Sequence, residues 1–408
     1  MMSVPSVLGD IPSLTRLGLK SNGLTDVRAA SLPPHLQHLI LTDNAIATLS
    51  VAVFERLGKS IRKLMLSHNR LKSLPAAGIE LLHHLELIRL SNNKLESVPR
   101  SLFLLPRIAW IALSGNTELS GTQPPQSRVP TGLLSEVTFE GGGNNLGQGA
   151  SGEVRAGVWK GNQVAVKTFR SVTSDGAAAD ELALYAAVGS SGSSSSGGSS
   201  SGGSSNNLVQ CLAVSTTENA VLMARLPNNL VDLALPPTIE EVIEDRWAAG
   251  VFFSLNFVVG TLRGMVGALS YLHATMGIAH GDVYAHNMLV SKIKPTGMQA
   301  AEATCFLLDL GAAYAYKTTG KGDSPVDAEA ATFAIDSDLA ERVEVRAFGI
   351  LASELLSRVQ VQEHSSVSRG RVDMLQVIVS RCLTENVVGR PSFVELKKWL
   401  ENVATLKE

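Results

Sequence analysis

Between residues 14 and 119 the apolar positions repeat. Leu14-Leu17-Leu19 with Asn22 and Leu24 sets a frame that returns as Leu36-Leu39-Leu41-Asn44-Ile46 and Ile61-Leu64-Leu66-Asn69-Leu71. It recurs again as Leu85-Ile88-Leu90-Asn93-Leu95 and as Ile108-Ile111-Leu113-Asn116-Leu119, the last one residue out of register at its end. The asparagines are spaced by 22, 25, 24 and 23 residues. Alternating leucines turn one face of a short strand inward, and an asparagine amide can satisfy backbone groups where the chain leaves that strand. A single unit cannot bury its apolar face, so five are expected to stack into one continuous core. Asn22 and its equivalents are structural on this reading.

The frame resembles the leucine-rich repeat, whose period is about 20–29 residues. The outward positions between the leucines form three columns. These are Arg16, His38, Lys63, Leu87, Trp110; Gly18, Ile40, Met65, Arg89, Ala112; and Lys20, Thr42, Ser67, Ser91, Ser114. The resemblance places function on the concave face that these columns build. Basic residues beside exposed Ile40, Met65, Leu87 and Trp110 suit a protein substrate or partner. Lys63, Met65, Leu87, Arg89 and Trp110 are its candidate contacts, with Trp110 as the anchor. Apolar residues scattered over a surface are also ordinary, and that reading stays open.

The pattern changes after residue 120. Pro124, Pro125 and Pro130 among Gln, Ser, Thr and Gly mark residues 121–135 as a linker or cap. Beyond it, a β-branched run ends at Lys167, and Asp180–Val188 reads as a helix. Val209–Val214 and Ala220–Met223 read as strands, Thr261–Ala274 as a helix, and Cys305–Leu308 as a short apolar strand. Ser190–Ser205 is Ser and Gly alone, a low-complexity insert that cannot build a site. The uncharged, largely apolar stretch Trp247–Leu262 is shorter than the about twenty residues that a membrane span needs, and reads as core.

Six chemically matched elements then follow in one order. Gly147-Gln148-Gly149-Ala150-Ser151-Gly152-Glu153-Val154 is a glycine-rich loop, and Val164-Ala165-Val166-Lys167 precedes Glu181. His280-Gly281-Asp282 comes next, with Asn287 and then Asp309-Leu310-Gly311. A lone glycine motif is weak, but the ordered set resembles the protein-kinase signature over residues 136–405. Val345–Leu351 and Gly389-Arg390-Pro391-Ser392-Phe393 extend the likeness to tyrosine-kinase-like serine/threonine kinases with leucine-rich repeats. The fold expected is an α/β leucine-rich-repeat solenoid over 1–120, followed by an α+β two-lobed protein-kinase-like domain.

The resemblance implies ATP and Mg2+ as cofactors and a phosphoryl transfer that works by positioning and charge neutralisation. Gly147, Gln148, Gly149, Ala150 and Gly152 would close over the phosphates. Val154, Ala165, Met223, Leu226 and Leu289 would line the adenine. Lys167, held by Glu181, would bind the α/β-phosphates. Asp282 would orient the acceptor hydroxyl or take its proton, and Asn287 and Asp309 would hold the metal. His280 reads as a hydrogen-bonding core residue, and Leu310 as packing behind the Glu181 helix.

Some positions depart from the family pattern. Gly281 replaces an arginine, Tyr284 stands where serine/threonine kinases carry a lysine, and Glu344 replaces an aspartate that braces the catalytic loop. Arg390 lacks its usual glutamate unless Glu329 or Glu341 substitutes, and Gln360–Arg371 is short and polar where a substrate-docking helix is expected. Two readings follow. In one the chain is an active serine/threonine kinase, as its retained Lys167, Glu181, Asp282, Asn287 and Asp309 imply. In the other it is a catalytically weak or dead pseudokinase scaffold. A small-molecule kinase is a third.

Hydrophobic residues at 45% and charged residues at 18% are a globular balance, so two or three domains are expected from 408 residues. Residues 1–120 carry 13 basic and 8 acidic side chains, and the rest carry 22 and 29. Opposite charge suits two separately solvated surfaces, two halves that dock on each other, or an acidic partner for the first half. No nucleic-acid or membrane partner is expected. Cys211, Cys305 and Cys382 show no paired spacing, and Met1–Leu14 has no basic region and carries Asp10. Both point to a cytoplasmic, reducing setting.

Overall fold

The computed structural model describes residues 2–119, 129–141, 145–149, 152–170, 173, 175–189, 207–238, 243–292, 303–316, 335–360 and 366–406. Ala150, the Ser190–Ser205 insert and Glu329 lie outside the described residues.

The repeats form one parallel sheet of five three-residue strands: β1 (Arg16–Gly18), β2 (His38–Ile40), β3 (Lys63–Met65), β4 (Leu87–Arg89) and β5 (Trp110–Ala112). Short helices α1 (Val51–Leu57), α2 (Ala76–Ile79) and α3 (Arg100–Phe103) return the chain on the convex side. The register aligns Arg16, His38, Lys63, Leu87 and Trp110 in one column and Gly18, Ile40, Met65, Arg89 and Ala112 in the next. These are the two strand columns read from the sequence. The asparagines cross-link the turns. Asn93 accepts from Leu71 N at 3.0 Å and donates to Leu66 O and Leu90 O at 3.0 and 2.9 Å. Asn44, Asn69 and Asn116 repeat the same pattern.

The second part has a small antiparallel lobe and a large helical one. The small lobe contains β6 (Val137–Phe139), β7 (Asn145–Gln148), β8 (Gly152–Trp159), β9 (Asn162–Phe169), α4 (Ala178–Gly189), β10 (Cys211–Ser215) and β11 (Ala220–Ala224). Its sheet runs β10-β11-β9-β8-β6, and β7 pairs with β8 to make the hairpin of the glycine-rich segment.

The large lobe follows with β12 (Leu230–Asp232), α5 (Leu255–Tyr271), β13 (Ile278–Ala279), β14 (Met288–Ser291), β15 (Cys305–Leu307) and β16 (Tyr314–Ala315). It ends with α6 (Ser337–Leu356), α7 (Ser366–Leu383) and α8 (Phe393–Thr405).

One element differs from the sequence reading. Helix α5 begins at Leu255, six residues before the expected start at Thr261, because Ser254 Oγ caps it by accepting from Phe257 N at 3.2 Å. With the turn that follows, Leu255–Met276 is long and apolar enough to cross a bilayer, yet it packs against α8 and β15 inside the lobe. Ser366–Arg371, the end of the polar stretch where a substrate-docking helix is expected, forms the first turns of α7.

The solenoid and the second part share their cores. Met65, Leu87 and Trp110 join a hydrophobic cluster with Leu182, Tyr284 and Leu310. On the other side, Leu113 and Ile111 of the repeats join one with Ala279, Tyr314, Leu339 and Val343.

Candidate functional site

The site lies where β9, α4 and the segment after β15 converge. The pairing of β8 with β9 sets Val154 opposite Lys167, beneath the glycine hairpin. Lys167 Nζ lies 2.6 Å from Glu181 Oε1, on α4, and 3.2 Å from Asp309 Oδ1. Burial works against the Lys167 ammonium, but the charge of Asp309 and the neighbouring Tyr185 and Glu181 outweigh it and raise its pKa. Burial also opposes the Asp309 carboxylate, yet Lys167 and the Gly311 N–H hold it down at about 2. Both groups are therefore charged at neutral pH. Asp309 has a left-handed backbone, φ 58°, and its Oδ1 accepts from Gly311 N at 3.0 Å.

The catalytic-loop residues are held from beneath. Glu344 of α6 accepts from His280 N at 3.0 Å and Gly281 N at 2.6 Å. It also meets His273 Nε2 at 2.6 Å. Its longer side chain does the bracing expected of an aspartate. His280 is fully buried, donates from Nε2 to Leu308 O at 2.9 Å and accepts from Asp282 N at 3.3 Å. Asn287 Nδ2 donates to Asp282 Oδ2 at 2.7 Å and to Asp282 O at 2.9 Å. Asp245, which sequence reasoning passed over, accepts from Ala285 N at 2.6 Å and pairs with His286.

The remaining candidates lie on or next to strands β7, β8, β9, β11, β14 and β15. Met223 is buried at the end of β11, opposite Ala165 of β9. Val154, Ala165, Leu226 and Leu289 are half-buried, whereas their strand neighbours Val164 and Val166 are fully enclosed. Gly147, Gln148 and Gly149 are exposed on the hairpin and Gly152 is buried at its return, with Gly149 N bonded to Gly152 O at 2.9 Å. Leu310 is buried in the cluster that contains Leu182 and Leu184 of α4.

The concave face of the solenoid meets this site, so Met65, Leu87 and Trp110, expected to be exposed, are buried instead. Its outward side chains pass from exposed at Arg16 to nearly enclosed at Met65, Leu87, Arg89 and Trp110, and Lys63 is half-buried. The cover is the chain's own second part. Arg89 pairs with Asp282 through Nη2, with Asp175 through Nε at 2.8 Å, and donates through Nη1 to Gly281 O at 2.8 Å. Trp110 stacks on Tyr284, and its Nε1 donates to Val283 O at 3.1 Å. His68 Nε2 donates to Thr173 O at 2.9 Å, and Asn92 donates to Asp180 at 3.3 Å. Burial opposes the Arg89 charge, and Asp282 and Asp175 outweigh it. Burial and the nearby Arg89 hold the Lys63 ammonium down at about 8.

The departures in the catalytic loop make sense against this surface. Gly281 has φ 73°, and a Cβ there would lie 2.5 Å from Ile111 O of β5 and 2.6 Å from Ala312 O. No arginine fits that position. Arg390 does not bind Glu341, the one of its two expected carboxylates that lies among the described residues. It donates to three backbone oxygens: Thr384 at 3.0 Å, Arg342 at 3.1 Å, and Pro106 of the solenoid at 2.8 Å. Glu341 instead accepts from Phe393 N.

Comparison with known proteins matches both parts. The repeats resemble those of a leucine-rich-repeat and immunoglobulin-like domain protein 3 from Homo sapiens, 31% identical over 97 residues, covering 23% of this chain and 8% of that protein. Leucine-rich repeat-containing protein 3 from Danio rerio is 38% identical over 106 residues, covering 24% of this chain and 39% of its own. Podocan-like protein 1 from Homo sapiens is 34% identical over 131 residues, covering 32% and 25%. The chain thus spans well under half the length of these relatives. A leucine rich repeat family matches residues 59–117. The protein tyrosine and serine/threonine kinase family matches residues 142–400, more than half of the chain, which therefore belongs to that family and carries leucine-rich repeats ahead of its kinase domain.

Proposed function

We propose that this chain is an active protein kinase that transfers the γ-phosphoryl group of ATP to protein hydroxyls, serine and threonine in preference to tyrosine. The observation that carries the reading is the joined set Glu181–Lys167–Asp309, with Asn287 bonded to Asp282 beside it. The carboxylate of Asp309 and the amide oxygen of Asn287, whose nitrogen is committed to Asp282, are hard oxygen donors that suit Mg2+. Bound Mg2+ and ATP would supply the phosphoryl group and neutralise its charge. Lys167, oriented by Glu181, binds the phosphates as a fixed cation. Asp282 orients the acceptor hydroxyl and takes its proton, on a loop that Glu344 and His280 hold in place. The Ser/Thr preference rests on the motifs at 345–351 and 389–393. The free, buried thiols of Cys211, Cys305 and Cys382 support a cytoplasmic setting.

A second reading, a scaffold that transfers nothing, draws on the pairing of Arg89 with Asp282. Transfer of labelled phosphate from ATP with Mg2+ or Mn2+, onto the protein itself and a generic basic substrate, separates the two. Label in the wild type that is absent from Asp309→Asn supports the kinase, and mapping the labelled hydroxyls decides Ser/Thr against Tyr. No label in either supports the scaffold.

A further inference from the structure

We infer that the concave face of the repeats is an intramolecular clamp on the kinase domain, with Arg89 occupying the carboxylate that must receive the substrate hydroxyl. This rests on the kinase reading above.

A group that orients or deprotonates a hydroxyl has to come within hydrogen-bond distance of it, about 2.6–3.2 Å. Both oxygens of Asp282 are already engaged, Oδ1 by Arg89 and Oδ2 by Asn287. The Asn287 bond belongs to the cleft itself, but the Arg89 bond comes from another domain, 193 residues away in the chain. Arg89 is 3% exposed and Trp110 2%, so the solenoid covers the side of the loop on which Asp282 is gripped. An acceptor peptide reaches Asp282 only after Arg89 leaves.

The contact is built rather than incidental. It joins a desolvated guanidinium with two carboxylates, an aromatic stack and an indole hydrogen bond. Two glycines make room for it. Gly281 yields to Ile111 O, and at Gly115, φ 70°, a Cβ would lie 2.6 Å from Asn92 Oδ1 and from Asp180 Oδ2. The solenoid also touches both lobes, the small one through His68–Thr173 and Asn92–Asp180 and the large one through Pro106–Arg390. A body fastened to both lobes restrains the lobe motions by which such enzymes admit substrate and release product. The Lys167–Glu181–Asp309 set, by contrast, is assembled under the clamp. The nucleotide side is ready, and only the acceptor side is shut.

The test compares phosphotransfer by the full chain, Arg89→Ala and Trp110→Ala on a generic basic protein substrate, with thermal melting of each. An open state populated at ~0.1–10% predicts a rise of ~10- to 1,000-fold on full release. Faster transfer by both variants is the expected result. A wild type that transfers label, with variants equal to it or slower, overturns the clamp and leaves the kinase reading standing. Loss of activity at Arg89→Ala would in that case make Arg89 a cation that serves turnover. No transfer by any of the three defeats the kinase reading and the clamp together. Should Arg89→Ala leave Asp175 and Asp282 too exposed to each other to fold, Trp110→Ala, which keeps the ion pairs, decides alone.

Discussion

Trp110 lies flat on Tyr284, with ring centroids 4.4 Å apart and planes 6° from parallel. One ring comes from the last strand of the repeats and the other from two residues beyond Asp282. Both are nearly enclosed. Tyr284 occupies the position where serine/threonine kinases carry a phosphate-binding lysine, and its ring is spent on holding the solenoid instead. A loss in the catalytic loop is thus a gain in an interface between domains. Trp110→Ala removes the stack and the hydrogen bond to Val283 O together. For a buried tryptophan the cost is about 3–5 kcal/mol. Calorimetry should show a lower Tm, and the single unfolding transition should split as the solenoid uncouples from the kinase domain. An unchanged melting profile would mean that the stack contributes nothing to docking.

The asparagine ladder makes a prediction confined to the repeats. Asn93→Ala leaves Leu71 N without its side-chain partner in a buried site, while Leu66 O and Leu90 O keep the amides of Asn69 and Asn116. A buried group left unpaired costs about 1–3 kcal/mol, so a loss of about that size is expected in urea denaturation. Asn22→Ala should cost far less, because Asn22 is exposed and its amide donates only to Lys20 O among the contacts described.

Lys167→Met tests the nucleotide side. It removes the fixed cation while filling most of the volume, and strands Glu181, which is 4% exposed, beside Asp309. Transfer should fall ~10²–10³-fold, the usual consequence of losing one preorganised electrostatic group. Burial and Asp309 already push the Glu181 pKa up to about 8, so without Lys167 it takes up a proton, and stability should fall by less than a stranded buried charge would cost. Label-transfer assays and urea melts of the same preparations measure both. A variant with wild-type transfer would remove Lys167 from the reaction.

Much of this was legible in the chain. Leucines at alternating positions dictate which side chains share a face, so the strand columns fall where the period puts them, from Arg16 to Trp110. The ordered motifs single out Lys167, Glu181 and Asp309, which the fold joins, and Asp282 and Asn287, which it bonds to each other. What could not be read was the cover over Arg89. Its partners lie far along the chain, and no periodicity carries information across that distance. The traces were indirect: a glycine at 281, a tyrosine at 284, and opposite charge on the two halves. The carbonyl cage around Arg390 was hidden for the same reason, since one of its walls is Pro106 of the repeats.

Glu344 predicts how acid affects the protein. Burial raises its pKa, but the hydrogen bond and charge of His273, with His280, more than reverse this and leave it below the ordinary glutamate value. A carboxylate whose folded pKa is depressed adds stability above its unfolded pKa, near 4.3, and that contribution is lost as pH falls through the folded value. Wild type should therefore lose stability relative to Glu344→Gln as the pH is lowered from 6 to 3, in urea melts across that range. Parallel pH profiles for the two proteins would show that Glu344 gains nothing from its ionisation.

Restoring the family's residue at position 281 should harm this protein. Any side chain at φ 73° costs roughly 1–2 kcal/mol in backbone strain alone. The further cost is steric, because the new Cβ meets Ile111 O and Ala312 O at 2.5 and 2.6 Å, and neither is the end of a flexible side chain. One of those oxygens belongs to the solenoid and the other to the kinase domain. Gly281→Ala, the smallest form of the change, isolates their shares when it is made both in the wild type and in Trp110→Ala. If the solenoid wall matters, the substitution will cost clearly less in the background where docking is already loosened, a coupling of about 0.5–3 kcal/mol. Equal costs in the two backgrounds would assign the whole effect to Ala312 O and the backbone, and glycine at 281 would then owe nothing to the repeats.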